Sequence, residues 1–255
     1  MSEFPEPMVP RPAATLILVR DTNTGIEVFM IRRSLAADFV SGAHAFPGGG
    51  VDASDASANL AAYCEGLDDI EASRLLGVPR GGLAYWTAAI RECFEEAGLL
   101  LAQDASGEYA DLNQPQNVRI FDRWREFLRA GRSTLADLCR EHHLRLAVGR
   151  LAYYSHWITQ VGPPRRYDTR FFVAVAPAAQ TPSHDDSETV AHVWIRPAEA
   201  LERRQRGELR LVFPTIRTLE SIAGFNTTAA LMEFARQPRI VPAMVPKVPS
   251  SREPR

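Results

Sequence analysis

Residues 91–99 read RECFEEAGL, within the longer stretch LAYWTAAIRECFEEAGLLL at 83–101. Apolar or small residues recur at Trp86, Ala89, Ile90, Cys93 and Ala97. That is a helical period, and Gly98 stands where a C-terminal cap belongs. On this helix Glu92, Glu95 and Glu96 occupy positions i, i+3 and i+4, so Glu92 and Glu96 share a face one turn apart. Carboxylates this close repel one another unless a cation or an arginine neutralises them. Oxygen donors of this kind suit magnesium, calcium or manganese. Arg91, four residues before Glu95, is placed to orient that carboxylate. A solvated acidic helix face is the ordinary alternative.

SGAHAFPGGGVD (41–52) precedes this helix and cannot be regular helix. Gly48 and Gly49 allow the backbone to approach a metal or a phosphate closely. Before the loop, AATLILVR (13–20) and IEVFMIRR (26–33) read as strands joined by the turn-prone DTNTG. After it, residues 55–66 and 68–76 read as two short helices, each opening on Asp. Residues 116–130 and 133–141 read as further helices, and 151–159, 169–177 and 189–195 as strands. PAEALERRQRG (197–207), FPTIRTLESIAGF and TTAALMEFARQ read as helices before a proline-punctuated tail. Interleaved strands and helices without an obvious linker predict one α/β domain with a mixed sheet.

Composition narrows the function. The chain has 255 residues, 45% hydrophobic and 24% charged, which is ample for a core. A net charge of -2 argues against non-specific nucleic-acid binding. Lys247 is the only lysine, so a lysine-bearing phosphate loop of the G-x-x-x-x-G-K-[ST] type is excluded. Cys64, Cys93 and Cys139 are odd in number and widely spaced, which fits a reducing compartment. Cys139 with His142 and His143 lacks a partner motif that would complete a zinc site. No apolar run approaches the ~18–20 residues that span a bilayer, and the proline-rich start lacks a signal pattern. A soluble cytoplasmic protein, without membrane or nucleic-acid partners, is expected.

PGG followed by R-E-apolar-x-E-E-x-G-apolar resembles the Nudix box, G-x5-E-x7-REUxEExGU. Arg91, Glu92, Cys93, Glu95, Glu96, Gly98 and Leu99 match the second half position by position. Counting from Gly49, the early glutamate position falls on Asp55, and an uninterrupted box would place the arginine at 63 rather than 91. The difference, 91 minus 63, implies an insertion of roughly 28 residues, the size of two short helices with connections. The gap resembles a coenzyme A diphosphatase subgroup with a long insertion in its box. RRSLAADFVSGAHAFPGG is similar to the signature of coenzyme A-cleaving members, R-[SA]-x3-R-x3-G-x3-FPGG, through Arg33, Ser34, Gly42 and FPGG, with Asp38 in place of an arginine.

The resemblance implies a Nudix-type α/β/α sandwich with extra helices from the insertion. It also implies an N-terminal extension at 1–11, a domain at 12–237 with the insertion at about 55–82, and a tail at 238–255. It implies that Glu92, Glu95, Glu96 and the Gly49 carbonyl coordinate Mg2+ or Mn2+ for hydrolysis of a diphosphate linkage in a small nucleotide-like substrate. Glu95 or a late acidic residue would accept the proton, with Glu188 ranked ahead of Asp185 and Asp186, and Arg91 would complete the catalytic set. Arg33, Gly48, Arg166 and Arg170 are the expected substrate contacts, since arginine forks suit phosphates. Tyr167 or Phe171 could stack a base, while Trp157 reads as core. Coenzyme A or an acyl derivative is the leading substrate, ADP-ribose or a nucleotide sugar the second. A non-catalytic nucleotide sensor and an acidic-faced structural protein are the readings of other classes. A homodimer is compatible with the resemblance.

Overall fold

The computed structural model describes residues 8–34, 42–162, 165–183 and 189–246. Chain order begins with strand β1 (Arg11–Thr22) and strand β2 (Gly25–Arg33), which pair antiparallel across the predicted turn. Short strands β3 (His44–Ala45) and β4 (Gly48–Gly50) follow, then a 3-10 turn at Ala53–Ala56. Helices α1 (Ala58–Ala61), α2 (Asp69–Leu76) and α3 (Leu83–Ala97) come next. Strand β5 (Ala102–Gln103) leads to α4 (Pro115–Arg129), α5 (Leu135–His142) and β6 (Arg145–Leu146). The remainder is β7 (Ala152–Ile158), β8 (Tyr167–Val175), β9 (Thr189–Ile195), α6 (Pro197–Gln205), α7 (Phe213–Ile222), α8 (Thr228–Arg236) and β10 (Ala243–Met244).

Eight of these strands form one mixed sheet in the order β10-β7-β8-β1-β2-β3, with β4 also on β1 and β9 also on β2. The predicted α/β class is therefore correct. β1 is central because its run Leu16, Ile17, Leu18 and Val19 is apolar on both faces and fully buried. Ala14, Leu16 and Leu18 face a core shared with α2, α3, α4 and α5, while Ile17 and Val19 face a second core under α6, α7 and α8. Helices on both faces make three layers.

Three expectations need adjusting. The helix expected over 55–66 is broken into the 3-10 turn and the single turn of α1, because the Asp55 side chain bonds to the Asp52 amide and to Arg91 instead of starting a helix. The glycine loop is partly strand: Ala13, Ala14 and Thr15 pair with Gly50, Gly49 and Gly48. The segment read as a tail returns to the sheet, where Ala243 and Met244 pair with His156 and Trp157. Also, β7 carries an irregularity between Tyr153 and Ser155, which lets Tyr154 and Trp157 reach the same core despite their odd spacing.

The inserted segment packs away from the cleft described below and supports α3. Asp69 of α2 accepts from the Gly81 and Leu83 amides, each at 3.0 Å, and so caps the start of α3. α2 and α3 touch so closely that a Cβ on Gly82 would lie 2.4 Å from the Ser73 nitrogen. The end of α1 is tied to β6 by backbone bonds from Glu65 and Leu146.

Candidate active site

α3 presents the box side chains to β4. The expected core positions Trp86, Ala89, Ile90, Cys93 and Ala97 are buried, which fixes the helix rotation. Gly98 adopts a left-handed φ of 69° and ends the helix. The Gly48 amide donates to Glu96 Oε2 at 2.8 Å. A Cβ on Gly49 would fall 2.5 Å from a Glu92 carboxylate oxygen. Only glycine allows that approach, so loop and helix form one site.

Arg91 is buried between them. It donates from Nε and Nη2 to the two oxygens of Asp55, from Nη1 to Glu92 at 2.9 Å and Glu95 at 3.3 Å, and from Nη2 to the Gly50 carbonyl at 2.7 Å. Its guanidinium therefore faces carboxylates and backbone. Asp55, the early acidic position counted from Gly49, is a further residue of this site, and its signal in the sequence is that spacing.

Burial dominates the electrostatics. Removal from water raises the Glu92 carboxyl to about 7, opposed by Arg91 and assisted by the Glu95 charge. Burial likewise raises Glu95 and Asp55 above the ordinary carboxylate range, against the pull of Arg91. Four acidic groups (Asp55, Glu92, Glu95 and Glu96) stand against two guanidiniums, Arg91 and Arg33, the latter 3.6 Å from Glu96 Oε1. This surplus of buried negative charge and hard oxygen donors fits a divalent cation. Among the described residues, no three acidic, histidine or cysteine side chains are gathered closely enough to hold an ion. Glu92 and Glu95 are instead turned to Arg91, and Glu96 to Gly48 and Arg33.

A cleft of about 370 Å³ opens on the opposite face of the sheet. Ala13, Thr15, Thr169, Phe171 and Trp157 line its floor, the glycines of β4 one edge, and Arg33 the end beside Glu96. Val212, Pro214 and Pro246 close it from the later helices and the returning C-terminal segment. Arg33 thus touches both cleft and carboxylates, and its buried Nε lacks a partner among the described residues. Tyr167 and Phe171 both line the cleft, as does Trp157, which is also core.

The other expected contacts lie apart. Arg166 donates to the carbonyls of Thr159 and Gln160 and to that of Met8, strapping the β7–β8 connection to the chain before β1. Arg170 is buried on the α3 face, bonded to Asp168 and His156 and lying 5.5 Å from the Tyr85 ring. It shares a row with Gly49 through Ala14, two strand spacings or roughly 10 Å away. Glu188, with Asp185 and Asp186, lies outside the described residues. The residues flanking them are fixed beside the site: the Ser183 amide donates to the Ala97 carbonyl, and Thr189 pairs with Arg33.

The NUDT19 Nudix domain family model matches residues 68–222, more than half of the chain. The acyl-coenzyme A diphosphatase NUDT19 of Gallus gallus is 30% identical over 243 residues, covering 82% of this chain and 64% of that protein. Its Homo sapiens namesake is 28% identical over 242 residues, covering 82% and 64%. The chain thus spans slightly under two thirds of the length of these relatives. The crystal structure of a NUDIX hydrolase from Alicyclobacillus acidocaldarius matches with a TM-score of 0.72 and 30% identity, covering 88% of this chain and 96% of that one. With the box geometry assembled as described, the chain belongs to the Nudix hydrolase family.

Proposed function

We propose that this protein hydrolyses the diphosphate linkage of coenzyme A or an acyl-coenzyme A, releasing 3′,5′-ADP and a 4′-phosphopantetheine. The observation that carries the reading is the acidic surplus at the junction of α3 and β4: Glu96 on the Gly48 amide, Glu92 against Gly49, and Asp55 and Glu95 gathered on Arg91. Glu92, Glu95, Glu96 and the Gly49 carbonyl would hold magnesium or manganese. Such an ion supplies Lewis-acid stabilisation of phosphate charge and a more acidic bound water.

The chain's own groups do the rest. Arg91 is a positioning residue that holds Glu92 and Glu95 in orientation through the anchor at Asp55. Arg33, at the junction of cleft and carboxylates, neutralises a phosphate oxygen as the substrate binds. Glu95, or Glu188 from the segment between Ser183 and Thr189, takes the proton from the attacking water. The substrate assignment is supported by the activity named for the relatives and by Arg33, Ser34, Gly42 and FPGG. Among the described residues no helix is long and apolar enough to cross a membrane, and we place the enzyme in the cytoplasm on its cysteine usage.

Hydrolysis with magnesium or manganese of coenzyme A, acetyl-coenzyme A and ADP-ribose, followed by product mass, tests the reading. Release of 3′,5′-ADP with a phosphopantetheine supports it. AMP with ribose 5-phosphate as the preferred products would replace it with a sugar-diphosphate activity, in keeping with Asp38.

A further inference from the structure

Gln160 follows β7 and lines the cleft, and its side-chain Oε1 is buried without a hydrogen-bond partner among the described residues. A buried acceptor left unpaired carries the full cost of its lost hydration. Gln160 is on the β7 side of the cleft, whereas Arg33 is on the β4 side. In the sheet, β7, β8, β1 and β4 are successive neighbours, so these two sides stand three strand spacings apart, roughly 14 Å. A ligand whose diphosphate meets Arg33 and whose body follows the cleft floor brings a group some way along its chain to Gln160.

Charge distinguishes which limb that is. Among the described residues, Arg33 is the one cation that lines the cleft, and it stands at the end beside Glu96. The 3′-phosphoadenosine limb of coenzyme A would carry a second phosphate into a largely apolar space where no described residue but Arg33 is cationic, a costly burial. The pantetheine limb is neutral and flexible and bears two secondary amides, each with an N–H to donate. Beyond Gln160 the neighbouring apolar side chains are open to solvent: Val161 is 64% exposed, Phe213 49% and Val245 53%. Trp157 connects this margin to the floor through its contact with Phe213, 5.9 Å between ring centroids.

Resting on the coenzyme A reading above, we infer that the cleft takes the pantetheine limb and that Gln160 Oε1 selects it by accepting from an amide N–H. An acyl chain on the thiol then leaves past the exposed apolar margin. Gln160 is a specificity-determining residue that reads the limb remote from the nucleoside.

Calorimetric titration of 4′-phosphopantetheine and of 3′,5′-ADP into the 255-residue chain tests this without turnover. Gln160→Leu is expected to weaken 4′-phosphopantetheine about fivefold, the typical contribution of one neutral hydrogen bond, while 3′,5′-ADP stays within about twofold. Gln160→Leu is also expected to leave the urea denaturation midpoint unchanged or raised, because it removes an acceptor that is buried without a partner among the described residues. Equal affinity of wild type and Gln160→Leu for 4′-phosphopantetheine overturns the inference, as does no binding to wild type. A lowered midpoint in Gln160→Leu also overturns it, because the role is then structural. A loss falling on 3′,5′-ADP instead reverses the limb. Wild-type coenzyme A hydrolysis, measured separately, reports on the function itself.

Discussion

Asp55 and Arg91 form a two-point ion pair: Arg91 Nε reaches Oδ1 at 3.0 Å and Nη2 reaches Oδ2 at 3.0 Å. The partners are 36 residues apart, separated by the inserted helices, and both are buried. An uninterrupted box would hold the acidic position and the arginine eight residues apart. Here the fold restores their contact, and Thr87 Oγ1 secures it by donating to the Asp55 carbonyl at 2.9 Å.

Replacing Asp55 by Asn leaves two guanidinium donors facing a neutral amide. Breaking a buried pair in this way is expected to cost about 3 kcal/mol. Urea denaturation measures it. A cost below about 1 kcal/mol would mean that Glu92, Glu95 and the Gly50 carbonyl hold Arg91 unaided.

Glu96→Gln removes a charge but keeps an oxygen that can accept from the Gly48 amide. Turnover is expected to fall at least about 100-fold, with the unfolding midpoint little changed. Turnover like that of the wild type, in magnesium, removes Glu96 from the site.

Gly49→Ala places a methyl where the Glu92 carboxylate now lies, 2.5 Å from Oε1. Either β4 moves off α3 or Glu92 turns away. Manganese affinity, followed by the metal's paramagnetic resonance, is expected to drop on the order of tenfold or more. An unchanged affinity would show that Glu92 holds no metal.

Adding magnesium or manganese to chelated protein is expected to raise its stability, because a cation neutralises a surplus that Arg91 and Arg33 leave uncompensated. At a hundred times the dissociation constant the gain is about 2.7 kcal/mol. Differential scanning fluorimetry reads it. No shift in wild type at millimolar metal would count against the metal assignment, and a shift equal in Glu95→Gln would exclude Glu95 as a ligand.

Arg166→Ala removes donors to three backbone carbonyls, those of Thr159, Gln160 and Met8. A stability loss of about 1–2 kcal/mol is expected, seen as a lower denaturation midpoint. A raised KM with unchanged stability would restore Arg166 to the role its sequence context suggests, a substrate contact.

Local spacing alone sets the α3 period, its glycine end, the clustered glutamates and the arithmetic that marks roughly 28 extra residues inside the box. These depend on neighbours a few residues apart, where helical geometry follows from spacing alone. The structure decided what required long-range register. The pairing of β1 with β4 sets Gly49 against Glu92. The strapping of Arg166 to backbone carbonyls separates it from Arg33, though both are arginines near strand ends. The irregularity in β7 turns Trp157 toward the cleft side. The return of β10 makes Pro246 part of the cleft wall. A one-residue slip in any of these pairings would send each side chain to the other face of the sheet. Strand alternation gives a choice of two faces, and only packing against the helices selects one.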